Sequence, residues 1–324
     1  MRSILIPVLF LSVGLSLPAA ASEVSDLLQK MTDADKHLNY RGILVLRKAD
    51  NLVAMRVEHG TDERGIWESM VSLNGEARRI VRINNEITSV YPERQLLTVT
   101  HSADKSPLHP ALPANLKNLE AYYSIKRLQD ERVADRAAMV LDVIPDDGFR
   151  YGYRYWLDTQ TGVLLRCDLL NEKQQVLEQM MFTLLEYLPS VPHSAFSPVI
   201  REGFEEKQLT QVNPNQSDPA WHVDNLPTGF MLTQSRARQT QKGEILHLAY
   251  SDGLASVSVF IEPARDARHK RRGASKLGAL NAYRFHVDRH LVTAIGEVPA
   301  ITVMQMAQSV IPVKAASVNS APTE

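Results

Sequence analysis

Cysteine is all but missing from the 324 residues: Cys167 is the only one. A single thiol excludes an intramolecular disulfide framework and any Cys-rich zinc module, so packing alone must hold the fold. Cys is among the most buried residue types, and Cys167 falls in the middle of a strand pattern, which predicts a small buried side chain rather than a reactive thiol. Charge of one sign is also lacking. The 36 Lys and Arg nearly match the 37 Asp and Glu, which removes the global footprint of a nucleic-acid binder. Beyond the N-terminus no stretch approaches the roughly 18 consecutive apolar residues of a membrane-crossing helix. Catalytic signatures are missing as well: there is no G-x-S-x-G elbow, no H-E-x-x-H and no Walker loop, and no cofactor is implied.

What is present begins with an export signal. Arg2 is followed by the apolar run Ile4 to Leu17 and by Ala19-Ala20-Ala21, the pattern of a secretory signal peptide over residues 1–21, cleaved before Ser22. No Cys at the cleavage region means no lipoprotein acylation site. Residues 22–38 read as an amphipathic helix carrying Leu27, Leu28, Met31, Ala34 and Leu38. Strand patterns then dominate: 40–48, 52–60, 65–73, 77–83, 86–91 and 94–100, with Asn74-Gly75 as the strongest hairpin signal. A proline-rich connection (101–115) and a short helix follow. Strands resume at 123–133 and 137–145, and then come three more in "RYGYRYWLDTQTGVLLRCDLLNEKQQVLEQMMF", where Gly162 suits a positive φ. Consecutive strands with short turns favour an antiparallel meander. Pro-, Ser- and Asn-rich stretches at 187–198 and 211–219 mark a boundary, and a second sheet-rich domain with a helix over 300–310 completes the chain.

Candidate sites come in three kinds. Ten histidines invite a metal reading, with His286 and His290 the best pair; on one strand their rings start about 13 Å apart, too far for a shared ion. His101 and His109 flank the proline-rich loop without a third ligand. The large side chains Met55, Trp67, Met70, Tyr91, Tyr123, Met139, Tyr155, Met180 and Met181 could fill an incompletely closed sheet, and so many methionines suit a surface that adapts to acyl chains or peptide. Basic clusters at Arg78, Arg79 and Arg82, and at Arg265, Arg268, Lys270, Arg271, Arg272 and Lys276, suit an anionic ligand or an acidic partner segment. "SDG" at 251–253 reads as a plain hairpin turn.

The segments "LNYRG" (38–42), "LNGEARRIVR" (73–82), "AYYSIKRL…ERVADR" (121–136), "RYGYRYWLDTQTG" (150–162), "LLNEKQQVLEQ" (169–179), "LPTGF" (226–230), "YSDGLASVSVF" (250–260) and "AIGEVP" (294–299), in this order, resemble the RseB/MucB family of periplasmic regulators of the envelope-stress sigma factor. The resemblance implies an α+β fold, a LolA/LppX-like unclosed antiparallel β-half-barrel with helices in its mouth and a smaller α/β C-terminal domain; the boundaries read from the residues place them at 22–195 and 219–312, with a linker over 196–218 and a frayed tail over 313–324. It implies a non-enzymatic negative regulator that binds the periplasmic segment of a membrane anti-sigma factor of the RseA/MucA type, shields it from site-1 proteolysis and releases it on binding lipid or lipopolysaccharide. It supplies no site residue by itself, and self-association stays open. The competing expectations are a LolA-like periplasmic lipid or lipoprotein carrier, which would need only the half-barrel, and a hydrolase with an unfamiliar site.

Overall fold

The computed structural model describes residues 19–101, 120–197, 203–208, 220–241, 243–264 and 273–313. Among these, no helix is long and apolar enough to cross a membrane. The signal-peptide run, the proline-rich connection with His109, and the basic residues Arg265, Arg268, Lys270, Arg271 and Arg272 lie outside the described residues.

Helix α1 (Ala19–His37) is followed by β1 (Asn39–Lys48), β2 (Asn51–Asp62), β3 (Gly65–Ser72), β4 (Arg79–Ile83), β5 (Glu86–Tyr91) and β6 (Leu96–His101). Then come β7 (Tyr123–Arg127), β8 (Glu131–Val133), β9 (Arg136–Pro145), β10 (Gly152–Asp158), β11 (Leu164–Leu170), β12 (Val176–Leu188) and β13 (Glu205–Gln208). These strands form one thirteen-stranded sheet in the order β13-β6-β5-β4-β3-β2-β1-β12-β11-β10-β9-β7, with β8 also paired to β9. Every pairing is antiparallel except β13 with β6, and the two ends do not meet, so the sheet is an unclosed half-barrel.

One face of this sheet is the core. Cross-strand partners carry it from strand to strand: Met55 opposite Leu44, Leu44 opposite Phe182, Leu46 opposite Met180, Met180 opposite Cys167, and Cys167 opposite Tyr155. Because side chains alternate along a strand, the residues between them face the other way. There Asp142, Arg154, Asp168 and Arg166 make a ladder of ion pairs, with the Arg166 guanidinium 4.0 Å from the Trp156 ring centre. Helix α1 closes part of the open side: Met31 and Ala34 are buried in the core, and Lys30 Nζ donates to the Thr159 carbonyl at 2.9 Å. The turn that receives it contains Gly162 at φ 81°, where an added Cβ would sit 2.8 Å from the Lys30 carbonyl oxygen.

The expected tight hairpin at Asn74-Gly75 is a wider loop. Asn74 turns its amide onto β2, accepting from the Ala54 N–H at 2.6 Å and donating to the Leu52 carbonyl at 2.8 Å, and β4 starts only at Arg79. The chain after β12 has a role that composition did not reveal. It crosses the outer face of β3 and β4, burying Phe196 against Trp67 and Val81, and ends as β13 along the rim beside β6.

The second unit is a six-stranded antiparallel sheet in the order β15-β16-β17-β20-β19-β18, built from β15 (Met231–Thr240), β16 (Gly243–Ser251), β17 (Ser256–Pro263), β18 (Gly273–Leu277), β19 (Leu280–Val287) and β20 (His290–Gly296). Helix α2 (Ala300–Gln308) buries Val303, Met306 and Ala307 against one face, beside Leu248, Val259 and Ala294. Proline at the position before α2 is well suited to a helix start. Strand β14 (Trp221–Val223) pairs with β21 (Val310–Pro312) and ties the ends of this unit together.

Candidate functional site

A cavity of about 730 Å³ lies between the two sheets. The half-barrel contributes Leu44, Met70, Tyr153, Cys167, Leu169 and Met180; the second unit contributes Leu254 from the β16–β17 turn and Phe260, Leu280 and Ile295 from the sheet face opposite α2. Most of this lining is apolar, the composition of a site for a hydrocarbon chain. Charge is confined to Lys48, Glu178 and Glu297. Lys48 Nζ lies 2.7 Å from Glu178 of its own domain and 3.4 Å from Glu297 of the other. Burial alone would lower the ammonium pKa, but the two carboxylates outweigh it and the net shift is upward. Burial raises the pKa of Glu178 against the opposing pull of Lys48.

Above the cavity the two units are clamped by a buried arginine. Arg150 has no side-chain exposure and donates to Asp252 at 2.8 Å and to the Thr228 carbonyl at 2.6 Å, with Asp147 at 3.1 Å. Three rings surround its guanidinium, with the centres of Phe230, Tyr122 and Tyr123 at 5.1, 5.2 and 5.5 Å. Asp252 also accepts from the Tyr123 hydroxyl at 2.9 Å and from the N–H groups of Leu254 and Ala255. Burial and the adjacent Asp252 hold the Tyr123 phenol far above its usual pKa, so it remains a donor. Gly229, at φ 87°, lets the following turn rest on the Tyr122 ring; a Cβ there would meet that ring at 2.5 Å. Asn281 adds a second link, donating to the Tyr151 hydroxyl at 3.0 Å and the Val298 carbonyl at 2.8 Å, and Thr302 donates to the Phe149 carbonyl at 2.6 Å. The "SDG" turn is therefore a turn and also the acceptor that joins the domains.

The sequence-predicted cavity residues divide by strand parity. Met70 and Met180 line the cavity. Met55, Tyr155 and Tyr123 are on the same side but fully packed in the core, and Tyr153 presents its ring to the cavity instead of Tyr155. Met181 is on the opposite face from Met180, opposite Val45 and Arg166. Trp67 is on the outer face, its ring centre 4.5 Å from that of His193 under the crossover. Tyr91 ends β5 beside Arg94, two strands beyond Met70, and Met139 is buried in β9 away from the lining. The lining residues Lys48, Glu178 and Glu297 were missed; the only hint was a charged residue closing each apolar alternation.

The basic and histidine readings also change. Arg79 does not face a ligand site; its Nη2 donates to the Ala195 carbonyl at 2.6 Å and pins the crossover. Arg78 is half-buried, and its backbone is engaged with Ser72. Arg82 meets Glu68 at 3.4 Å in a buried cross-strand pair. His286 and His290 are not on one strand: Asp288, at φ 49°, turns the chain, and the two residues fall on β19 and β20 in adjacent register positions. Among the described residues no three His, Cys, Asp or Glu side chains converge to hold a metal.

Comparison with known proteins gives the same two-part division. The MucB/RseB N-terminal domain family matches residues 23–200, and the MucB/RseB C-terminal domain family matches residues 215–311. The sigma factor AlgU regulatory protein MucB of Pseudomonas aeruginosa is 30% identical over 320 residues, covering 95% of this chain and 97% of that protein. The sigma-E factor regulatory protein RseB of Haemophilus influenzae is 28% identical over 315 residues, covering 93% and 96%. Two solved structures superimpose on nearly the whole fold. MucB in complex with MucA(peri) has a TM-score of 0.72 at 29% identity, covering 90% of this chain and 99% of that one. The Pseudomonas aeruginosa MucA/MucB complex has a TM-score of 0.73 at 28% identity, covering 90% and 100%. Four of the segments that carry the sequence resemblance, "AYYSIKRL", "RYGYRYWLDTQTG", "LPTGF" and "YSDGLASVSVF", meet at the interdomain clamp. With both domain families matched in order along its length, the chain belongs to the MucB/RseB family.

Proposed function

We propose that this chain is a periplasmic negative regulator that binds the periplasmic segment of a membrane anti-sigma factor of the RseA/MucA type. Binding shields that segment from site-1 proteolysis, and an amphiphile entering the interdomain cavity releases it during envelope stress. The observation that carries the reading is the likeness, over 90% of the chain, to MucB crystallised with MucA(peri). The cavity supports the release step. It is walled by both domains, so an acyl chain inside it acts on the domain arrangement that a bound partner segment also depends on. A ligand shifts such an equilibrium only by preferring one arrangement, and a coupling of about 1–3 kcal/mol gives a useful response.

The second sheet forms one wall of the cavity, which favours the regulator over a carrier needing the half-barrel alone. The reading is tested with the mature chain, its N-terminus at Ser22, and the periplasmic segment of the anti-sigma factor from the same bacterium. Binding by calorimetry, protection of the segment from the site-1 protease, and loss of both on adding lipopolysaccharide are expected. A segment that is cleaved equally fast with and without the chain rules the proposal out.

A further inference from the structure

The charged cluster at the cavity rim pairs within the half-barrel and across the domains, and it also presents both signs of charge to a molecule that enters. Lys48 supplies one positive charge, and Glu178 and Glu297 supply two negative ones. A purely anionic head gains Lys48 but faces both carboxylates, so it binds less tightly than a head that also carries an ammonium. A cationic head would be repelled by Lys48. A neutral head would leave the cluster unused. A head with adjacent opposite charges fits it, because each end finds a partner and the total charge is unchanged. The accessibility of the three groups orders them. Glu178 is the less exposed anchor of Lys48, with 16% of its side chain exposed, while Glu297 is 45% exposed and can swing off Lys48 at little cost. The adjacent rim is apolar. Leu277 is 74% exposed and Leu280 is partly so, on the β18–β19 turn whose Gly278 packs on Ala49 next to Lys48. Charge and exposed leucine together are the lining that an amphiphile meets on entering.

We propose that Lys48, Glu178 and Glu297 form a headgroup site for a zwitterionic amphiphile of the phosphoethanolamine class, with phosphate on Lys48, ammonium on Glu297 and acyl chains in the cavity. This rests on the reading of the cavity as an acyl site. Its added content is selectivity and coupling. The phosphate takes the place of Glu297 at Lys48, so a direct contact between the two domains is exchanged for one that runs through the ligand.

The test uses the full mature chain and three short-chain probes with the same acyl groups: dihexanoyl phosphatidylethanolamine, dihexanoyl phosphatidylglycerol and dihexanoylglycerol. The parent binds the phosphatidylethanolamine about fivefold more tightly than the phosphatidylglycerol, the size of a partly exposed ion pair. Glu297→Gln abolishes that preference. Lys48→Met weakens both phospholipids about fivefold and leaves dihexanoylglycerol unchanged, which also shows that the variant is folded. Equal affinity of the parent for the two phospholipids, or unchanged phosphatidylethanolamine binding by Lys48→Met, overturns the headgroup assignment while the acyl cavity stands. Binding of none of the three probes overturns the cavity reading and this inference with it.

Discussion

Replacing Asp252 with Ala is the sharpest test of how the two domains are held together. The carboxylate accepts from Arg150 at 2.8 Å and from Tyr123 at 2.9 Å, and it also caps the N–H groups of Leu254 and Ala255. Neither Arg150 nor Tyr123 can turn to water, because both are buried. Removing one partner of a buried pair costs about 3–5 kcal/mol, most of it the charge left behind. Arg150 keeps Asp147 and the Thr228 carbonyl, so the lower end, about 3 kcal/mol, is expected here. At about 1.6 °C per kcal/mol for a chain of roughly 300 residues, the melting temperature falls by about 5 °C. Scanning calorimetry reads both the shift and its shape. Loss of the clamp should split one transition into two, one for each sheet. Arg150→Met places an apolar side chain among Tyr122, Tyr123 and Phe230, so the double variant Arg150→Met with Asp252→Ala should be more stable than Asp252→Ala alone. A shift under about 2 °C for Asp252→Ala, or strictly additive effects in the cycle, would refute the clamp.

Three further outcomes are expected. Gly42 sits in β1 where an added Cβ would meet the Leu184 carbonyl oxygen at 2.3 Å, so Gly42→Ala must push β1 from β12 and lose about 1–3 kcal/mol by denaturant titration; an unchanged midpoint contradicts this. Burial would raise the pKa of Asp158, but Arg136 and the N–H groups of Thr161 and Gln160 outweigh it and the net shift is downward. Its stabilising contribution is therefore present above the ordinary carboxylate range and is lost as pH falls through that range and below. Arg136→Met should flatten the acid limb of stability below about pH 5, and an identical limb in parent and variant counts against the pair. Burial pushes the Cys167 thiol up, and the thiol faces the cavity beside Glu178, so in the native protein it should react with a negatively charged disulfide reagent more slowly than in denaturant. A rate equal to that of the unfolded chain would show that the cavity does not protect the thiol.

The half-barrel was legible because its strands alternate and their turns are short. "RYGYRYWLD" shows both faces at once, tyrosines inward and Arg154 and Trp156 outward. Which large residue lines the cavity was harder to read, since both faces carry large side chains. Met180 and Met181 are chemically alike, and only the register opposite Leu46 puts one inside and the other outside. Trp67 was expected to help fill the cavity but packs on the outer face, where the covering segment comes from a stretch whose prolines suggested only a linker. The clamp was hidden for another reason. Arg150, Thr228 and Asp252 are far apart in the chain, and a turn-forming Asp-Gly already has a local explanation, so nothing local demands a distant partner. The second domain's histidines failed through a single turn: the alternation of residues 282–290 continues through Asp288 without a break in hydrophobicity.

An open sheet has two rims, and each is a template on which another molecule could extend the hydrogen-bond ladder. Here the crossover finishes one rim with β13, four residues of sequence Glu-Glu-Lys-Gln that are all exposed, paired in the parallel sense. The other rim ends in β7, five residues that include Lys126 and Arg127. Short, charged margins are poor seeds for edge-to-edge stacking. The strand borrowed from the interdomain segment therefore gives the open barrel a margin ill suited to pairing with a second copy.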